Sequence, residues 1–374
     1  MKGKNLLRKL MVLGLTGAMA TSLLACGADS ESSSEVADVD FNSLSLEEII
    51  AGAKEEGNVY SVGMPDTWAN WIETWEEINT EYGIAHEDLD MSSSEEIAMF
   101  KEEGTDATKD IGDVGLQWGS VAEEEGVTLK YKTSYWDSIP DWAKDDDGDY
   151  VAEYTGTMCL LTNDTLVENA PTSWADVLEG DYKVSIGDVA AASQAQHAVL
   201  ATAYAMGGGL DDIQPALDFW KEIAEQGRLD VGECSLARIE SGEIAVGCFW
   251  DYNALNYRDQ AVANNSSLSF TVNIPSDGSV TSAYCSIINV NAPDPYAACL
   301  TREYILSDEG QINLAKGYAT PIRSDVELPE EVQAMRIDES QYASAVPVED
   351  FETWAEKSQE IIEFWEEEIV PLLN

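Results

Sequence analysis

Apolar positions along this chain alternate between a helical and an extended rhythm. Residues 45–54 carry a Ser45 cap and apolar side chains at helical spacing, ending at Gly57, and predict a helix. Residues 58–63 read as a short buried strand. The turn Met64-Pro65-Asp66-Thr67 follows, and then a helix carrying Trp68, Trp71, Trp75 and Ile78. A strand is predicted at 111–116, with Gln117-Trp118-Gly119-Ser120 at its end and a helix after it. Residues 150–163 form an extended run longer than an ordinary strand needs, as if crossing between two lobes. A short helix at 171–178 precedes a strand at 183–188, and a further helix is predicted from about 196 to 206. Residues 244–249 read as a buried strand leading into Trp250-Asp251-Tyr252-Asn253 and another helix. Strands at 268–274 and 282–290 follow, and from residue 297 onward the pattern is helical. This alternation predicts α/β sheets, whose carboxyl strand ends are where ligands bind. Trp71 and Trp75, four residues apart on one helix, read as core.

The amino terminus departs from that texture. Lys2, Lys4, Arg8 and Lys9 precede an apolar stretch at 10–20, the form of a secretory leader and too short for a membrane span. Leu23-Leu24-Ala25-Cys26-Gly27 resembles the bacterial lipobox, which implies cleavage before Cys26 and acylation of its sulfur. The polar run that follows would tether the folded part at the extracellular face of a cytoplasmic membrane, or in a periplasm. The expected divisions are a leader at 1–25 and a polar linker at 26–42.

Charge and chemistry narrow the function. The 374 residues hold 71 Asp and Glu against 20 Lys and Arg, a net charge of −51, with only 2 His. Such a chain repels phosphate backbones, so no nucleic-acid partner is expected. The acidic tract Asp145-Asp146-Asp147-Gly148-Asp149 does not fit a calcium loop, because placing Gly148 sixth puts Ala143 first and Tyr154 last. No metal or cofactor site is expected. Cys159, Cys234, Cys248, Cys285 and Cys299 lack C-x-x-C spacing and read as small buried hydrophobes, with one disulfide left open. No G-x-S-x-G elbow or H-E-x-x-H motif is present, and His86 and His197 stand in no triad spacing, so catalysis is not expected.

The lipobox, the first strand with its Trp-rich helix, Ser173-Trp174-Ala175-Asp176-Val177-Leu178, the 183–188 strand, residues 244–253, Leu306-Ser307-Asp308-Glu309-Gly310-Gln311 and Tyr318-Ala319-Thr320-Pro321-Ile322-Arg323 occur in that order. Together they resemble the extracellular solute-binding proteins of bacterial ABC importers, in the branch of ferric-iron, thiamine, polyamine and aminophosphonate binders. The resemblance implies an α/β, type II periplasmic-binding-protein-like fold of two lobes, hinged on strand crossovers. It also implies a monomer that hands its solute to a membrane permease with a separate ATPase. Lobe 1 is expected at 43–153 with a return at 275–320, and lobe 2 at 154–274. The C-terminal helices, 321–374, are expected on lobe 2.

Candidate ligand residues are those of the strand-end turns: Pro65, Asp66, Thr67 and Trp68; Gln117 and Trp118; Ser193 and Gln194; Trp250, Asp251 and Tyr252; and Tyr284. An acid between two aromatics suits a cation, by ring attraction and a charge-assisted hydrogen bond to Asp251. Iron-binding members of the branch hold the metal with adjacent tyrosines near this strand, whereas Phe249-Trp250-Asp251-Tyr252-Asn253 has no such pair. A polyamine or other amine-bearing solute is therefore expected, with ferric iron, thiamine or an aminophosphonate as the alternative in the same transport role.

Overall fold

The computed structural model describes residues 39–373, so the leader and the lipobox Cys26 lie outside the described residues. The chain opens with α1 (Leu46–Glu56), β1 (Asn58–Val62), α2 (Trp71–Tyr82), β2 (Ala85–Leu89), α3 (Ser93–Glu103), β3 (Ile111–Gly115) and α4 (Leu116–Glu124). The long β4 (Tyr150–Asn163) leads to α5 (Trp174–Glu179), β5 (Val184–Ser185), α6 (Ser193–Ala205), α7 (Gln214–Glu225) and β6 (Leu229–Asp230). Next come α8 (Leu236–Glu240), β7 (Val246–Trp250), α9 (Asp251–Asn264) and β8 (Phe270–Asn273). The chain returns through β9 (Ser279–Ile288), α10 (Pro295–Ile305), α11 (Asp308–Lys316) and β10 (Thr320–Pro321), then α12 (Glu330–Gln333), β11 (Ala345–Pro347) and α13 (Phe351–Phe364).

Local chemistry sets many of these boundaries. Ser45 and Glu48 form a reciprocal capping box at the start of α1, and Gly57 closes it in the left-handed conformation. Asp277 also reaches the start of α5, accepting from the backbone N–H groups of Trp174 and Ala175 at 2.9 and 3.0 Å. Several elements differ from the periodicity. Gln117 to Ser120 are the first turn of α4 rather than a turn before it; α6 begins at Ser193, three residues early; and the helix expected to carry Trp68 begins only at Trp71. β10 and β11 interrupt the helical region expected after residue 297, and β2 was not anticipated. In β2, Ala85-His86-Glu87-Asp88-Leu89, no residue is fully buried, so its strand state comes from pairing with β1 rather than from apolar alternation.

The strands run in the order β2-β1-β3-β9-β4-β7-β5-β6. β1 is parallel to both β2 and β3, and β5 is parallel to both β6 and β7, which makes two βα halves. They are joined by β4, which pairs with β9 from Tyr150 to Thr157 and with β7 and β8 from Met158 to Asn163. One apolar core lies under each half: Val62, Phe100, Val114, Trp118 and Ile287 in the first, and Cys159, Leu161, Ile244, Phe249 and Ile274 in the second. The last segment meets both halves. Phe351 of α13 packs on the first core and stacks on Trp142 at 6.0 Å, while Trp365 lies 6.2 Å from Trp220 of α7. The five cysteines of the described residues are free, and four are buried. No helix among the described residues is long and apolar enough to cross a membrane.

Arg302 is the polar anchor of the first half. Wholly buried on α10, it donates to Ser286 Oγ and O at 3.0 and 2.9 Å, and to the carbonyls of Tyr131 and Gly148 at 3.0 Å each. The buried Glu153 carboxyl is pushed upward by desolvation, against which the Arg302 charge acts. Arg302→Met leaves three carbonyl acceptors, one hydroxyl acceptor and an acid without their cation, and is expected to cost about 3–5 kcal/mol. Urea unfolding followed by circular dichroism measures this, and an unchanged midpoint would refute the anchoring role.

Two further acids report on pH. Asp110 accepts from the Tyr60 and Asp294 N–H groups, and Glu56 from those of Tyr296 and Ala297; burial pushes both carboxyls up to about 7. Each holds its proton to a higher pH in the fold than in the unfolded chain. Their contribution is therefore complete below the ordinary carboxyl range and is lost as pH rises through about 7. The melting temperature is expected to fall between pH 5 and pH 8; a flat or rising profile contradicts this.

Candidate functional site

The two parallel sets of strands point their carboxyl ends at a common cavity of about 760 Å³. The first half lines it with Pro65, Thr67 and Trp68 after β1, with 90–93 and 95–96 after β2, and with Asp113 in β3. The second half contributes Gly187 and Asp188 after β5, the start of α6, Glu233 to Ala237 after β6, and Asn253 and Tyr257 of α9. Tyr284, on the crossing strand β9, forms part of the wall.

Steric detail places Trp68. Ala69 and Asn70 follow it at φ 48° and 57°, a left-handed pair that turns the chain sharply into α2. Gly317 at the end of α11 lies against this turn so closely that a Cβ there would stand 2.3 Å from the Ala69 carbonyl carbon. The Trp68 ring is thereby held 6.3 Å from both Tyr252 and Tyr284. Its indole N–H is buried without a partner.

The cavity is electrostatically one-sided. Asp90, Glu95, Glu96, Asp113, Asp188, Glu233 and Glu240 supply seven carboxyl groups, and no Lys, Arg or His lines it. Desolvation pushes the pKa of Asp90 up to about 6, with further upward pressure from Asp88, Glu233 and Glu95, although its side chain still meets solvent. Glu96 and Asp113 are pushed well upward, by burial first and by neighbouring acids second. Both histidines lie elsewhere and are neutral: burial lowers His197 to about 4, and burial with Lys109 lowers His86 to about 3.

Of the candidates from sequence, Pro65, Thr67, Trp68, Ser193, Gln194 and Tyr284 stand together on the cavity wall. The other six do not. Asp66 points to solvent on the same turn. Gln117 is buried behind the wall and donates to Ser193 Oγ at 2.9 Å, while Trp118 belongs to the first apolar core. Trp250, Asp251 and Tyr252 are all buried. The Trp250 indole N–H donates to Tyr284 Oη at 3.2 Å. Asp251 accepts from the Thr157 and Tyr252 N–H groups and, at 2.8 Å, from Tyr342 Oη, so its carboxylate ties β4, α9 and the C-terminal segment together. The carboxylate expected to meet a cation is thus consumed by the scaffold, and other acids occupy the wall. Those after β2 and β6 escaped notice because β2 lacks apolar alternation and β6 is two residues long. A second acidic cluster, Glu123, Asp145 and Asp149, lies outside the cavity, where Lys130 pairs with Asp149 at 3.3 Å.

Hydrogen bonds cross the mouth. The Thr67 carbonyl accepts from Asn256 and Gln260 of α9 at 2.9 and 2.8 Å, and Ser94 Oγ donates to the Ala191 carbonyl at 3.3 Å. Tyr318 donates to Asp259 in the same seam. This geometry defines a two-lobed binding protein with its lobes drawn together over an interlobe cavity.

Residues 108–346 match the family described as bacterial extracellular solute-binding protein, and the chain belongs to that family. Proteins of this class deliver small-molecule ligands to ABC permeases. Among solved structures it is similar to the periplasmic binding protein AfuA of Actinobacillus pleuropneumoniae with fructose-6-phosphate bound: TM-score 0.68, 18% identity, covering 83% of this chain and 98% of that one. It is also similar to the ferric binding protein of Campylobacter jejuni, with TM-score 0.60 and 19% identity over 83% and 98% of the two chains. A GABA receptor matches with TM-score 0.61 and 19% identity over 82% and 96%. These likenesses establish the type II periplasmic-binding-protein fold. Comparison with curated proteins finds no match.

Each cross-mouth amide bond is worth about 0.5–1.5 kcal/mol to the closed arrangement. The double variant Asn256→Ala, Gln260→Ala is expected to shift the balance toward open forms by roughly two- to tenfold per bond. Small-angle scattering should then show a larger radius of gyration; an unchanged radius would show that these bonds do not hold the lobes together.

Proposed function

We propose that this chain is the capture component of an ABC importer for a small cationic organic solute, of the polyamine or other amine-bearing class. The observation that carries the proposal is the ring of seven carboxyl groups, with no basic side chain, around the cavity. Low-dielectric walls of one sign focus the field and attract opposite charge. Trp68, Tyr257 and Tyr284 on the same wall add aromatic faces suited to a cation. Asp251 plays no part in this reading, which rests instead on acids from both halves of the cavity.

The solutes named for the solved structures do not carry over directly. A sugar phosphate or an aminophosphonate needs a compensating cation, and the wall supplies none. A ferric site of the adjacent-tyrosine kind lacks its residues at 249–253. Acylation of Cys26 would hold the protein at the extracellular face of the cytoplasmic membrane, beside its permease.

Isothermal titration of the purified full chain with putrescine, spermidine, thiamine, aminoethylphosphonate and ferric citrate tests the proposal. Saturable binding of an amine is expected. Binding of the phosphonate or the iron complex with no response to any amine would refute it.

A further inference from the structure

The cavity lining has an imbalance of hydrogen-bonding groups. Among its lining residues, the buried polar atoms without a partner are Glu96 Oε1 and Oε2, Asp113 Oδ1 and Asn253 Oδ1, four acceptors, against a single donor, Trp68 Nε1. Glu96 is fully buried and Asp113 is 1% exposed. The other Asp113 oxygen accepts from Tyr154 Oη at 2.5 Å. The Asp113 backbone amide acts on Glu96 without reaching hydrogen-bonding geometry.

Space has been made for the Glu96 carboxylate. It lies against Gly63, at the end of β1 with φ 72°, and against Gly112 in β3; a Cβ on either would stand 2.5 Å from one of its oxygens. Two strands therefore forgo side chains where this acid sits. Burial and neighbouring acids hold both carboxyls toward their protonated form, and a partner that brings N–H groups and positive charge in place of those protons removes the cost of leaving carboxylate oxygens without donors.

The composition of the missing donors identifies the partner's chemistry. An ammonium group carries up to three N–H donors and a guanidinium five, whereas a quaternary ammonium carries none. Among the described residues, Glu96 and Asp113 belong to no trio of His, Cys, Asp or Glu whose ligand atoms all lie within 4.8 Å of one another, so the site is not arranged as a carboxylate cage for a metal ion. We propose that Glu96 and Asp113 form a subsite for the primary or secondary ammonium, or guanidinium, end of the solute, and that it selects against quaternary ammonium. The inference rests on the cationic-solute reading and sharpens it: aromatic faces accept either kind of cation, but the unpartnered oxygens of Glu96 and Asp113 need a hydrogen donor, which a quaternary ammonium lacks.

Titration of the full chain with putrescine and agmatine, each beside its fully N-methylated counterpart, tests this. The parent amine should bind at least a hundredfold more tightly than its methylated form. Glu96→Gln should weaken the parent at least tenfold and shrink that ratio, and Asp113→Asn gives an independent measure if the first variant folds poorly by circular dichroism. Equal affinity for the two forms, or variants that bind the parent like the wild type, would overturn the subsite while leaving a cationic solute standing. Failure of every amine and every methylated cation to bind, with binding of aminoethylphosphonate instead, would overturn the cationic reading itself.

Discussion

A continuous backbone ladder that changes sheets halfway along one strand governs this structure. β4 pairs with β9 up to Thr157 and with β7 and β8 from Met158. Because ladder hydrogen bonds are obligatory for buried backbone groups, the two halves cannot separate without breaking the strand that serves both. The carboxyl ends of both parallel sets face the same gap, and much of the cavity wall is carried on turns and helix starts that follow those ends. Tyr284 sits on β9 beside the crossing, at the fixed base of the gap.

Charge is the second organising feature, and its placement matters more than its amount. Most acids of a chain at −51 serve solubility, and that figure alone says little about a solute. The acids of the cavity differ because no basic side chain shares their wall. By contrast, the buried Asp251 has a full set of donors and works as a structural tie. Two aspartates in acidic, aromatic surroundings thus have opposite fates, and hydrogen-bond satisfaction distinguishes them. Asp251 is spent within the protein, while Asp113 and Glu96 keep free acceptors beside a cavity.

Much of the architecture was legible because it rests on short-range chemistry. The Ser45 cap, the Gly57 stop, the over-long run at 150–163 and the buried strand before Trp250 all follow from propensity, capping and local burial. The turn after β1 was visible for the same reason, and Thr67 and Trp68 lie on the cavity wall. The acids after β2 were not visible. Ala85-His86-Glu87-Asp88-Leu89 has no strand rhythm of its own and becomes a strand by lying beside β1. The direction in which Trp250, Asp251 and Tyr252 face was equally hidden, since it depends on Thr157 and Tyr342, 94 and 91 residues away from Asp251.

The sequence by itself determined the α/β class, the order of elements, the extended crossing strand and the strand-end turns as the places where a solute can be met. Periodicity, caps and glycine stops are local, and local energies survive without knowledge of the rest of the chain. Only the tertiary structure decided which acids face the cavity, which are consumed by the scaffold, and that Gly63 and Gly112 leave room for Glu96. Those outcomes depend on long-range pairing and on the balance of donors and acceptors in a buried volume, and neither quantity exists until the two halves have closed on each other.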